Sequence, residues 1–127
     1  MCGPCGGCSL RHLDYAAECA AKTGFVRDAF SRLGGLSLPV ADTLPAPLQA
    51  RYRNKVQLPV GTDEAGHLIT GFYAGRSHRI VRCADCKLQP EWMNQLAARA
   101  CALLEEAGVP AYHEETHTGL IRHLYLR

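Results

Sequence analysis

The sequence has no apolar run approaching the roughly 18 residues needed to cross a bilayer, so no segment reads as a membrane span. Its first residues lack the basic stretch and apolar core of a secretory signal. No Gly-rich loop follows a strand-like segment, which leaves no visible nucleotide-cofactor site. There is no internal repeat and no low-complexity tract. Net charge is small, at +2.

Cysteine, by contrast, is plentiful: seven in 127 residues. A chain of this length makes one domain of ordinary size and buries roughly two-thirds of its unfolded surface, so it needs no covalent staples. An odd number of thiols, several of them tightly clustered, fits metal binding in a cytoplasmic protein better than a secreted disulfide frame. Cys2, Cys5 and Cys8 stand at C-x2-C-x2-C spacing, separated only by Gly and Pro, and Cys83 and Cys86 form a second C-x2-C. Thiolates are soft ligands that select zinc, copper(I) or iron–sulfur clusters. Three thiols in one loop can take three corners of a cubane and leave the fourth to a distant Cys. Two C-x2-C knuckles, Cys5/Cys8 and Cys83/Cys86, can equally close a tetrahedral zinc site. The thiols alone do not decide between these. A thioredoxin-like pair is disfavoured, because Cys5-Gly6-Gly7-Cys8 does not follow a strand of a βαβ unit.

The rest of the chain predicts an α+β domain. Asp14 can cap a helix from about Tyr15 to Leu33, with Ala17, Ala20, Ala21, Phe25, Ala29, Phe30 and Leu33 at helical spacing and Gly34-Gly35 as its stop. Residues 36–49 hold three prolines and read as an extended connection. Alternation over Tyr52–Val60 gives a strand, Leu68–Tyr73 its hairpin partner, and His78–Arg82 a third antiparallel strand. Pro90 opens a helix near Glu91–Ala107, whose apolar side is expected to be Trp92, Leu96, Ala100, Leu103 and Leu104. Cys19 and Cys101 fall inside the two helices and read as small core residues. Ala111–His117 and Leu120–Leu126 suggest a last hairpin about Thr118-Gly119. The expected organisation is a cysteine-rich cluster loop at 1–13, a helix at 14–36, a connector at 37–50 and an antiparallel α+β central domain at 51–127. A strand-like run continues to Arg127, as in a fragment of something longer.

Between Arg51 and Arg82 there are six basic residues and two acidic ones. That excess suits an anionic partner such as RNA, and a solvated sheet face is the competing reading.

Four stretches, in order, carry a resemblance. They are Cys5-Gly6-Gly7-Cys8-Ser9-Leu10-Arg11-His12-Leu13-Asp14-Tyr15; Tyr52 to Gly61; Gly71-Phe72-Tyr73 with Ser77-His78 and Ile80-Val81; and Gly119 to Leu124. Together they resemble the cluster-bearing region of the bacterial RNA uracil-5-methyltransferases, over nearly the whole chain. The resemblance implies a [4Fe–4S] cluster on Cys2, Cys5, Cys8 and Cys86, with zinc as the alternative occupant. The family's first ligand lies further upstream than Cys2 does, at a place that here would precede Met1. Either Cys2 takes that role through a tighter loop or the ligand lies upstream. Cys83 is then a spare thiol beside the site. The resemblance further implies RNA as partner, ribosomal rather than transfer RNA. Arg53, Lys55, Arg76, His78 and Arg122 are the candidates for contacts to it, and Tyr52, Phe72 and Tyr73 could stack on bases, with core packing the better reading of Phe72. Family members move a methyl group from S-adenosylmethionine to C5 of a uridine. They use a Cys nucleophile and a carboxylate in a separate catalytic domain, which is not seen in this sequence. On this reading the chain alone has no catalytic residue. A zinc-ribbon-like nucleic-acid module without enzymatic activity is the alternative, and a small thiol oxidoreductase a third possibility.

Overall fold

The structure, a computed structural model, describes residues 5–127. Its described residues divide into two compact units, one of residues 8–49 and one of residues 5–7 with 50–127.

The 8–49 unit is built on α1 (Tyr15–Asp28). Asp14 has extended backbone and its carboxylate accepts from the Ala17 amide at 2.7 Å, satisfying one of the orphan N–H groups of the first turn. The helix widens into a π-helical turn, Ala29–Leu33, and stops at Gly34. The proline-containing segment has no regular structure, yet it is not a free tether. The Thr43 amide donates to Thr23 Oγ1 at 2.9 Å, and the Ala46 amide donates to the Tyr15 hydroxyl at 2.6 Å. Thr23 is the buried residue of α1, while Phe25, Val26, Phe30 and Leu33 are exposed. The apolar periodicity thus predicts the helix correctly but not what it buries. Cys19 is half-buried rather than core.

The second unit is a four-stranded antiparallel sheet with a helix packed on it. Its elements are β1 (Val56–Thr62), β2 (Leu68–Tyr73), β3 (Ile80–Arg82), α2 (Glu91–Glu106) and β4 (His123–Leu126). The order across the sheet is β3-β2-β1-β4. The expected meander is present as β1-β2-β3. The last hairpin is different: β4 pairs with β1, and the 111–117 arm keeps only bridges at Ala111–Ile121 and His113–Thr118. Pro59 sits where β1 changes partner, pairing with β4 over Val56–Pro59 and with β2 over Val60–Thr62. A residue without an amide hydrogen is tolerated at such a break in the ladder. Gly71 allows β2 and β3 to approach, since a Cβ there would lie 2.0 Å from the Val81 carbonyl oxygen.

The core gathers Val56, Leu58, Met93 and Ala97, with Phe72, Leu124 and Leu126 against it. α2 presents Met93, Asn94, Ala97 and Cys101 to the sheet. Trp92, Leu96 and Leu103, expected inside, face solvent instead. Small Ala97 and unbranched Met93 allow close helix-to-sheet packing, and the burial of Asn94 is explained by the loop it holds. Among the described residues no helix is long and apolar enough to cross a membrane.

Candidate functional site

Cys5 forms a bridge with Ala74, at the turn joining β2 to β3. The Gly6 amide donates to the Tyr73 carbonyl at 2.9 Å. A Cβ on Gly6 would sit 2.8 Å from that same oxygen, and one on Gly7 would touch the Phe72 ring at 3.4 Å. The two glycines therefore let a thiol-bearing loop lie flat against the end of the hairpin. The Gly7 amide donates to Cys5 Sγ at 3.4 Å, so one backbone N–H is already aimed at a candidate ligand sulfur.

The second thiol loop is held from both sides. Arg51 adopts a left-handed conformation, φ 59°, uncommon for a residue with a Cβ. From there one guanidinium nitrogen donates to the carbonyls of Cys86 and Gln89, both at 3.0 Å, and the other pairs with Asp85 at 2.7 Å. Lys87 also pairs with Asp85, and these two cations, Lys87 first, hold the Asp85 carboxyl below its ordinary range. From the helix side, buried Asn94 accepts from the Cys86 amide at 3.3 Å and from Gln89 Nε2 at 2.5 Å, and donates to Asp85 at 3.2 Å. Cys86 is 7% exposed. Neither Arg51 nor Asn94 stood out in the sequence. The left-handed φ and the contacts across 35 residues have no local signature.

Of the other candidate ligands, Cys2 lies outside the described residues, Cys8 is exposed, and Cys83 lines a cavity between β2 and α2 that also touches Cys101. Among the described residues no group of three or more His, Cys, Asp or Glu is disposed to hold a metal ion. What fits a cluster here is the chemistry of the donors: thiols on glycine-rich or clamped loops, with an amide already directed at one sulfur. Burial raises the Cys101 thiol pKa, which keeps that sulfur protonated and away from such chemistry.

Two of the five candidate RNA contacts line the same groove. His78 and Arg122 line a shared groove, together with Tyr73, Arg79, Tyr112 and Glu114. His78 stacks on Tyr73 with ring centroids 5.2 Å apart and donates through Nδ1 to Glu114 at 2.8 Å. The Arg122 guanidinium lies 3.6 Å from the centroid of the Tyr112 ring, a close cation–π contact. Arg76 is exposed in the β2–β3 turn, with φ 56°. Arg53 and Lys55 do not line the groove: Arg53 is half-buried and tied by its amide to Leu88, and the Lys55 ammonium lies 6.0 Å over Tyr125. Phe72 packs against the core, as expected of it. Tyr112 and Glu114 escaped the sequence reading, because nothing local places them opposite His78 and Arg122.

No protein-family model matches the chain. Relatives include proteins named as uncharacterized RNA methyltransferases. Those of Halalkalibacterium halodurans and Clostridium tetani are 40% identical over 124 and 123 residues. That of Synechocystis is 36% identical over 124. Each match takes in 97% of this chain but only 27%, 26% and 27% of the relative, so the chain spans about a quarter of the length of the curated relatives it matches. Among solved structures, the tRNA (uracil-54, C5)-methyltransferase of Pyrococcus abyssi, crystallised with S-adenosyl-L-homocysteine, superposes with a TM-score of 0.69. That match covers 97% of this chain and 28% of the other at 24% identity, and so shows a shared fold.

Proposed function

Because nearly the whole chain is homologous to a quarter-length segment of RNA methyltransferases, we propose that it is the iron–sulfur and RNA-binding portion of an RNA uracil-5 methyltransferase. The complete enzyme would place a methyl group from S-adenosylmethionine on C5 of a uridine, in ribosomal RNA by the motif resemblance. The nucleophile and the methyl-donor site are assigned to the part of the relatives that this chain does not span.

Cys5, Cys8 and Cys86, with Cys2, would hold a [4Fe–4S] cluster. Its contribution is structural, tying the first residues to the sheet. Methyl transfer to uridine needs no redox step, and none is assigned. Arg53, Lys55, Arg76, His78 and Arg122 would meet the RNA, with splayed bases stacking beside them. The observation that carries the reading is the docking of Cys5-Gly6-Gly7 on the very turn that bears Arg76 and leads from Tyr73 to His78. The thiol loop buttresses the hairpin end from which one wall of the basic groove is made.

Anaerobic purification should yield a brown protein with about four irons and four sulfides per chain. Both should fall sharply in Cys86→Ser. A colourless protein carrying stoichiometric zinc would replace this reading with a zinc-ribbon-like module. Competition between ribosomal and transfer RNA fragments for the iron-loaded protein tests the choice of target.

A further inference from the structure

The groove between the β2–β3 hairpin and the 111–117 arm has the makings of an anion site. His78 is braced by its stack on Tyr73, and Arg122 is held against Tyr112 at 3.6 Å, so neither basic group has to be ordered when an anion arrives. Arg79 and His123 line the same groove. Yet the groove already holds an anion of the protein's own. Glu114, on the turn after His113, reaches across to His78 Nδ1 at 2.8 Å. The His78 hydrogen bond first, then the charges of Arg122 and His123, keep the Glu114 carboxyl below its ordinary range. Its side chain remains 62% exposed, so it can be exchanged for another anion without opening the core.

We propose that this groove is a phosphate seat for single-stranded RNA, and that Glu114 occupies it as an internal stand-in until RNA displaces it. The inference rests on the RNA-binding reading above and deepens it. A phosphate arriving at His78 and Arg122 replaces the carboxylate like for like, while the neighbouring base finds the Tyr73–His78 platform. The turn carrying Glu114 then swings out. The carboxylate thereby lowers affinity for any polyanion that cannot fill the seat, trading strength for selectivity.

The test is fluorescence anisotropy of the full chain with a labelled uridine-rich RNA of roughly ten nucleotides, over a salt series. Glu114→Gln should tighten binding about three- to tenfold. The slope of log Kd against log salt should change by less than about 0.7, the value for one phosphate contact on a single strand, because the same phosphate fills the seat in both proteins. Glu115→Gln removes the same charge from the same turn and should give clearly less. In a His78→Ala background the Glu114→Gln gain should shrink to that of Glu115→Gln. An equal gain from Glu115→Gln, or a gain that survives His78→Ala, overturns the stand-in while leaving the RNA-binding reading intact. Absence of salt-sensitive binding by the wild type and every variant overturns both.

Discussion

Asn94→Ala should be among the most damaging single changes in the molecule. Asn94 is 8% exposed, and its amide is the acceptor for the Cys86 amide and for Gln89 Nε2. Gln89 is only 2% exposed and its Oε1 already has no hydrogen-bond partner, so it has little capacity to find a new one. Truncation leaves two buried donors unmatched, at about 1–3 kcal/mol each. Water entering the space left by the amide recovers part of this, giving a net loss of about 3 kcal/mol. Domain stabilities are about 5–15 kcal/mol, so the loss is large. For a chain of this size it corresponds to a fall in melting temperature of about 10 °C. Urea unfolding monitored through Trp92 gives the equilibrium value. The loop also reports directly, because Cys86, nearly inaccessible in the wild type, should react faster with a thiol reagent such as Ellman's. A variant within about 1 kcal/mol of wild type, with Cys86 still protected, would show that the loop is held by Arg51 alone and would refute the reasoning.

Three further outcomes are expected. Gly71→Ala should destabilise by about 3 kcal/mol or more, because its Cβ would lie 2.0 Å from a backbone oxygen of β3, whereas Gly75→Ala, with open space around it, should be close to neutral in the same urea assay. His67 and Glu105, joined at 2.6 Å, clamp the β1–β2 turn to the end of α2, the His67 pKa raised and the Glu105 pKa lowered chiefly by their mutual hydrogen bond. The His contribution is complete below 6.5 and lost as pH rises through its raised value, and the Glu contribution is complete above 4.5 and lost as pH falls through its lowered one, so the clamp is strongest from pH 4.5 to 6.5. Proton NMR titration should find His67 above 6.5 in the wild type and lower in Glu105→Gln. Cys101, buried and with a raised pKa, should resist iodoacetamide in the native protein and react promptly in urea, as followed by mass spectrometry.

The elements were legible where the signal is local. The Asp14 cap and the apolar periodicity mark α1, alternation and turn residues mark β1 to β3, and Pro90 marks the start of α2. The thiol spacing marked the two loops for the same reason. Burial was less legible. The apolar period of α2 singled out Trp92, Leu96 and Leu103, but the face turned inward is the one with small Ala97 and with Asn94, a polar residue required by a loop nine residues away at Asp85. Likewise β4 was read as a return strand for 111–117, because a turn at Thr118-Gly119 is visible in sequence while a long-range pairing with β1 is not. His78 and Arg122 were picked out by residue type alone. Their shared groove and its acidic occupant depend on tertiary contacts that pattern reading does not reach.

The change of partner at Pro59 has a consequence for how the sheet opens. Because β1 pairs with β4 over Val56–Pro59 and with β2 over Val60–Thr62, the β1–β4 pairing and the β1–β2–β3 pairing are expected to open with different free energies. Hydrogen exchange should resolve two protection classes along one continuous strand. Arg122 borders the first pairing and His78 the second, so a nucleic acid gripped by both would fasten the halves together and merge the classes into one.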